Sequence, residues 1–286
     1  MKKYLKEING ETWLVEDERD NMKLYYRIKE VISSKESTFQ KVDIIDSYDF
    51  GRCLVLDGVM QTTELDGYIY NEMISHIPVV THKKPEKVLV IGGGDCGVVN
   101  ELIKYKELKA IDMVEIDRLV VEESIKYIPS IAGDASKDER VNFVFDDGVN
   151  FVKNKYKYYD IAIVDSSDPV GPGEVLFSED FYVSLRDCLK DDGMMVCQSQ
   201  SPIFYKDVLK KTRGILKNHF PVVKTYKATV PSYPGGMWSF TLASLKYDPK
   251  DGDIQKLAKD TKYINNEIFK SCFSLPNFTK KDLELL

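Results

Sequence analysis

From residue 88 onward the sequence alternates short apolar runs with stretches of helical period. The runs are VLVIG (88–92), IDMVEI (111–116), VNFVF (141–145), DIAIVD (160–165) and MMVCQS (194–199), and helical stretches start near Cys96, Asp117, Asp147, Ser178 and Tyr205. Strand followed by helix, repeated, leaves few packings: the strands run parallel, the crossovers are right-handed, and helices cover both faces of the sheet. Ligands of such sheets bind beyond the carboxyl ends of the strands. The polar residues that end these runs are therefore expected to share one crevice. Two further strands, about 222–229 and 238–244, close the pattern.

The first 65 residues read differently. KLYYRIKEV (23–31), TFQKVDII (38–45) and RCLVL (52–56) are rich in β-branched and aromatic residues and are broken by turn formers such as Asp49 and Gly51, which predicts a small antiparallel domain. The period changes near Tyr68. There Tyr70, Met73, Ile74 and Ile77 fall on one helical face, expected to end before Pro78. The expected division is 1–65 for the β-domain and 66–286 for the α/β domain.

A net charge of −6 points away from nucleic acid or an anionic membrane as partner and suits a cationic small molecule. The five cysteines (Cys53, Cys96, Cys188, Cys197, Cys272) are scattered and form no CxxC pair, which predicts a reducing cytoplasm and no structural zinc. MKKYLKEINGETW has no apolar core of a signal peptide, and no later run approaches a membrane span in length.

After the strand at 88–92 the chain reads GGGDCG (92–97). Gly92, Gly94 and Gly97 satisfy GxGxxG between a strand and a helix, and Glu115 follows at the end of the next strand, where an acid meets a ribose diol. Asp95 does not suit a dinucleotide. A pyrophosphate sits at the helix N-terminus because N–H groups and the dipole favour an anion, and a carboxylate there repels it. Asp95 is read either as a simple cap or as the partner of a cation, in which case the ligand is an adenosine with a positive tail, a sulfonium nucleoside of the S-adenosylmethionine kind. An acid at this spot leans toward the decarboxylated form, whose tail ends in an ammonium group alone. Asp147 and Gly148 end the third strand, where they can meet the adenine edge, with Asp147 also an N-cap; Pro172 would give the purine a rigid wall.

Tyr70, Asp165, Asp168, Gln198 and Tyr233 are the candidates for an amine side of the same crevice. Taken singly, each tyrosine is better read as core. Alkyl amines titrate near 10, so a diamine arrives protonated and cannot attack. A carboxylate in a water-poor pocket would free its lone pair. Attack on the methylene beside a sulfonium then expels a neutral thioether, with no metal required. Accordingly His76, His82 and His219 lack ligand spacing, and neither GxSxG nor a Walker loop is present.

These residues carry a resemblance. The chain resembles the aminopropyltransferases of the spermidine synthase family through LVLDGVMQTTE (54–64), YNEM (70–73), VLVIGGGDCG (88–97), VEID (114–117), DDGVNFV (146–152), DSSDPVGPGEVLF (165–177), PSYPGGMWSF (231–240) and SLPNF (274–278). The resemblance implies a small N-terminal β-domain on a Rossmann-like, methyltransferase-type domain, assembled as a homodimer or homotetramer. It implies aminopropyl transfer from decarboxylated S-adenosylmethionine, a co-substrate and not a cofactor, to putrescine, giving spermidine and 5′-methylthioadenosine. By motif match, Asp165 would accept the proton with Tyr70 and Tyr233 beside it. Asp168, Asn71, Gln198, Asp95 and Trp13 would serve the amines, while Gln40, Gln61, Gly92, Gly94, Asp95, Glu115, Asp147, Gly148 and Pro172 would hold the nucleoside. Three positions depart from the family pattern: Asn71, where His or Gln is usual, Cys96, where glycine is usual, and the run Ile268-Phe269-Lys270-Ser271-Cys272-Phe273.

Other readings compete. Cadaverine or agmatine could replace putrescine as acceptor. A methyltransferase using intact S-adenosylmethionine is opposed by Asp95 and by the Asp165/Asp168 pair, an NAD oxidoreductase by the acid in the glycine loop, and a silent polyamine-binding protein by retention of Asp165, Tyr70 and Tyr233.

Overall fold

The computed structural model describes residues 4–167 and 171–286, the side chains of Gly171 and Pro172 excepted. Strands β1 (Leu5–Ile8), β2 (Glu11–Arg19), β3 (Met22–Glu36), β4 (Lys41–Ser47), β5 (Gly51–Leu56) and β6 (Val59–Thr63) form an antiparallel meander in chain order. The sequence pattern reached β3, β4 and β5 but not β1, β2 or β6. The charged residues of ETWLVEDER hide the alternation in β2, and β1 and β6 are only four and five residues long.

The second layer system begins with α1 (Gly67–Thr81) and β7 (Lys87–Gly92), followed by α2 (Gly97–Leu102), β8 (Ala110–Val114), α3 (Arg118–Tyr127), α4 (Pro129–Ala132) and β9 (Val141–Val144). It continues through α5 (Gly148–Lys153), β10 (Tyr159–Asp165), α6 (Glu179–Cys188), β11 (Leu189–Gln198), α7 (Lys206–His219), β12 (Val222–Thr229) and β13 (Met237–Ser244), and ends with α8 (Asn266–Ser271) and α9 (Asn277–Asp282). The sheet order is β12-β13-β11-β10-β7-β8-β9, with β7 to β11 parallel and β13 antiparallel to both its neighbours. This is the Rossmann-like arrangement expected. Along β7, Val88 and Val90 enter one apolar cluster with α1 and α2, whereas Leu89 and Ile91 enter another with α6, so both faces are covered. The strand order reverses between β7 and β10, where Gly92 pairs in register with Asp165. A crevice at that point is the expected ligand site.

Helix α1 runs through Pro78 instead of stopping before it. A proline inside a helix costs about 3 kcal/mol. Ile77, Val79 and Val80 around it are fully buried, and each such side chain contributes roughly 1.5–3 kcal/mol, enough to offset the lost bond. The back of α1 is also held by charge. Glu72, 1% exposed, accepts backbone N–H groups from Lys262 (2.6 Å), Tyr263 (2.8 Å) and Ile264 (2.8 Å).

The meander docks on α3 and α4 through Val42, Ile44 and Leu54 against Val120, Ile128 and Ile131. Arg52 Nη1 donates to the Tyr127 carbonyl at 2.8 Å, and Ser130 Oγ donates to Glu64 at 2.7 Å across the same junction. No helix among the described residues is long and apolar enough to cross a membrane. Glu72→Ala strands three donors, that of Ile264 in a buried bond and those of Lys262 and Tyr263 in partly buried ones. It is expected to lower unfolding free energy by about 3 kcal/mol, measured by urea titration.

Candidate active site

A cleft of about 710 Å³ opens between the meander and the carboxyl ends of the parallel strands. Its floor is the glycine loop. Gly92 has φ +81°, and a Cβ there would lie 2.1 Å from the Asp165 carbonyl oxygen, so only glycine lets the loop close on the end of β10. The Gly93 N–H then donates to that carbonyl at 2.9 Å. Cys96 begins α2 in the left-handed region (φ +64°) and is completely buried. It is not yet helical, so the position usual for glycine costs this chain on the order of 1 kcal/mol.

The lining is one-signed. Glu16, Asp17, Glu18, Asp57, Asp95, Glu115, Asp147 and Asp165 all reach the cleft, and no lysine, arginine or histidine does among the described residues. Asp165 carries the largest consequence. Burial, then the Asp95 charge, with Glu115 adding, pushes its carboxyl up to about 8, although a hydrogen bond from Tyr70 opposes the shift. Burial likewise raises Glu115 to about 7, with Asp117 and Asp95 adding and the N–H groups of Asp117 and Ile116 opposing. Asp95 is raised by burial as well, while the Gly97 N–H, the Thr62 hydroxyl and the Asn71 amide donate to it and favour its ionised form. Three carboxyl groups thus share a desolvated space without a counter-ion among the described residues of the lining.

Around them the side chains are fixed. Tyr70 on α1 donates from Oη to Asp165 Oδ1 at 2.7 Å. Its ring meets Tyr233 edge-on at 5.9 Å, and Tyr233 in turn meets Trp238 at 4.6 Å. The Tyr233 hydroxyl donates to the Gln61 carbonyl at 2.8 Å. Gln198, at the end of β11, is held by the Gln200 N–H (3.0 Å) and donates to the Ser166 carbonyl at 3.3 Å. On the other side, Gln40 donates to Asp117 at 3.1 Å, and the Asp117 N–H donates to Glu115 at 2.9 Å. Asp147 caps α5 by accepting from the Val149 N–H at 2.8 Å while still lining the cleft.

The sequence model of the spermine/spermidine synthase domain matches residues 67–251, and that of the spermidine synthase tetramerisation domain matches 12–64. The chain belongs to the spermine/spermidine synthase family. Relatives named polyamine aminopropyltransferase include those of Thermoanaerobacter sp. (strain X514), 43% identical over 94% of this chain and 98% of the relative. That of Methanocaldococcus jannaschii is 44% identical over 94% of each chain. A solved spermidine synthase in complex with the transition state analogue AdoDATO superposes with a TM-score of 0.91 at 35% identity, covering 99% of this chain and 95% of that one. The spermidine synthase from Thermotoga maritima gives 0.88 at 34%, over 99% and 94%. The chain is a transferase of this family, and its reaction class is aminopropyl transfer.

Within this family member, Tyr70, Tyr233, Gln198, Gln40, Gln61, Gly92, Gly94, Asp95, Glu115, Asp147, Gly148 and Asp165 all line the cleft. Trp13 does not. It lies opposite Lys6 and Arg27 in the meander, roughly 10 Å along β2 from Glu16. Trp238 is the tryptophan in the lining. Asn71 is also absent from the lining; it is 3% exposed, packed against Gly97, and its amide donates to Asp95. Asp168 and the side chain of Pro172 lie outside the described residues. Thr62, Glu16, Asp17 and Glu18 escaped sequence reasoning, since only the pairing of the meander turns them toward the cleft.

The raised carboxyls make a signed prediction. With folded values near 8 and 7, Asp165 and Glu115 bind protons in the ligand-free protein that the unfolded chain has already lost, so their contribution to stability falls as pH rises from about 4 to 8. A diammonium ligand favours the ionised forms, so its binding at pH 7 is expected to release protons. Calorimetry with putrescine in buffers of different ionisation enthalpy measures this, and proton uptake would contradict it.

Proposed function

We propose that the protein transfers the aminopropyl group of decarboxylated S-adenosylmethionine to putrescine, yielding spermidine and 5′-methylthioadenosine. The observation that carries this reading is the cleft's lining of eight acidic side chains and no basic one, which favours a cationic donor and a diammonium acceptor over any phosphate-bearing ligand. The similar spermidine synthase solved in complex with the transition state analogue AdoDATO supports the same reaction class.

The nucleoside lies along Glu115, Asp147 and Gly148, with Gln40 and Gln61 beside it and Glu115 accepting from the ribose hydroxyls. Asp95 receives the aminopropyl ammonium. The acceptor nitrogen approaches Asp165, whose Oδ1 is engaged by Tyr70, leaving Oδ2 for the proton. Tyr70, Tyr233 and Gln198 line the amine's path; Asp168 serves the amine and Pro172 the purine by family match. In water, moving a proton from an alkylammonium to an aspartate is uphill by about 6 pK units, roughly 8 kcal/mol. In the ligand-free cleft Asp165 stands at about 8, raised by burial and then by the Asp95 charge, which makes it a stronger base than a free aspartate. Asp165 takes the proton, the nitrogen lone pair forms the new N–C bond, and the C–S bond breaks with its electrons on sulfur. The sulfonium becomes a neutral thioether, so positive charge leaves the donor as the bond forms.

We also propose a boundary at 65/66 between the two domains, in line with the ends of the two family matches, and a homodimeric or homotetrameric, cytoplasmic protein.

Incubation with decarboxylated S-adenosylmethionine and a panel of putrescine, cadaverine, agmatine and spermidine is expected to give methylthioadenosine fastest with putrescine, read by mass spectrometry. A faster reaction with another amine would reassign the acceptor. Asp165→Asn is expected to lower kcat by about 10² to 10⁴ with methylthioadenosine affinity little changed; an unchanged kcat would put the base elsewhere.

A further inference from the structure

Asp66 lies immediately before α1, is 2% exposed and does not line the cleft. An aspartate at this position ordinarily caps the first turn, yet its side chain makes no cap bond. Its oxygens go elsewhere. Oδ1 accepts the Thr63 hydroxyl at 2.7 Å and the Ser232 hydroxyl at 2.9 Å, while Oδ2 accepts the Ser232 N–H at 2.6 Å.

Ser232 belongs to a tight loop folded on itself. The Val230 N–H donates to the Gly236 carbonyl at 2.7 Å, the Tyr233 N–H to Val230 at 3.0 Å, and the Gly236 N–H to Tyr233 at 2.8 Å. The Tyr26 hydroxyl adds a bond to the Ser232 carbonyl at 3.1 Å. Such a loop moves as one piece, so pinning Ser232 pins Tyr233. The same carboxylate holds Thr63 at the end of β6, two residues from the Gln61 carbonyl that receives the Tyr233 hydroxyl. Tyr70 follows one helical turn after Asp66.

We infer that Asp66 is a positioning residue for the transfer: one buried carboxylate, through Ser232 and Thr63, sets Tyr233 against Tyr70 and so shapes the wall of the amine path. The inference rests on the reading that the acceptor amine lies between these two rings and Asp165. Apart from Gln40 and Gln61, the nucleoside end of the cleft is built from β7, β8 and the start of α5, to which Asp66 makes no hydrogen bond among the described residues, and neither Gln40 nor Gln61 is its partner.

Asp66→Asn turns an amide N–H₂ or a single acceptor toward donors that the carboxylate satisfied. With putrescine, or whichever diamine the wild type prefers, kcat/KM is expected to fall about 10- to 100-fold, while the Kd of methylthioadenosine stays within about 2-fold. In the Tyr233→Phe background the same change is expected to add little, because the effect runs through Tyr233. If Asp66→Asn does not fold, Ser232→Ala, which removes one of the three bonds, should show the same split at about 3- to 10-fold. An unchanged kcat/KM in folded protein, a parallel loss of methylthioadenosine affinity, or fully multiplicative effects of Asp66→Asn and Tyr233→Phe would each overturn the inference. Wild-type turnover separates the two ideas: none with any diamine overturns the acceptor reading and this inference with it, whereas turnover indifferent to Asp66 overturns the inference alone.

Discussion

The cleft depends on like charges held together out of water. Asp95, Glu115 and Asp165 meet at the glycine loop, each pushed toward its neutral form by burial, and the Asp95 charge adds to the shift of the other two. A folded chain does not assemble such a trio without local support. Asp95 accepts the Gly97 N–H, Glu115 accepts the Asp117 N–H, and Asp165 accepts the Tyr70 hydroxyl. These donors lower the cost of the arrangement without cancelling its charge. What remains is an electrostatic deficit that protons fill in the ligand-free cleft and that a bound cation can fill in their place, and a site in that condition discriminates by sign before it discriminates by shape.

The same support explains why capping and chemistry need not compete. Asp95 accepts from the first N–H of α2, and Asp147 accepts from the first turn of α5, yet both line the cleft. A helix N-terminus carries a partial positive charge, so it stabilises the ionised form of the acid that caps it. Each of these two loops, ending a strand and beginning a helix, therefore holds its carboxylate in place with a backbone hydrogen bond. Asp66 is the exception at a helix start: it gives up the cap to bridge distant segments, and the first turn of α1 relies on burial instead.

How much of this was visible in the residues follows from the range of the interactions. The β/α alternation, the glycine loop and the acids that end β8, β9 and β10 are local patterns, and local patterns survive without tertiary knowledge. The course of α1 through Pro78 was hidden because burial on both sides, not propensity, decides it. Trp13 and Glu16 are three residues apart, and only the register of β2 against β3 shows which of them reaches the cleft. Asn71 follows Tyr70 directly, but a turn of 100° per residue carries its side chain away from the cleft and behind Asp95. Asp66 and Ser232 are separated by most of the catalytic region, and no spacing rule connects them.

The meander accordingly takes part in the chemistry. Leu54, Leu56, Met60 and Thr62 form the wall facing the glycine loop, and Gln40 ties the same sheet to Asp117 beside Glu115. Without that wall, the ends of β7, β8 and β10 would face solvent, and water would screen the three acids from one another. The raised carboxyl of Asp165 is therefore a property of two docked layers, not of a residue in its strand. Any substitution that loosens the junction at Val42, Ile44 and Val120 lets water reach the acids and draws the Asp165 carboxyl back toward the ordinary carboxylate range, even with every cleft side chain intact.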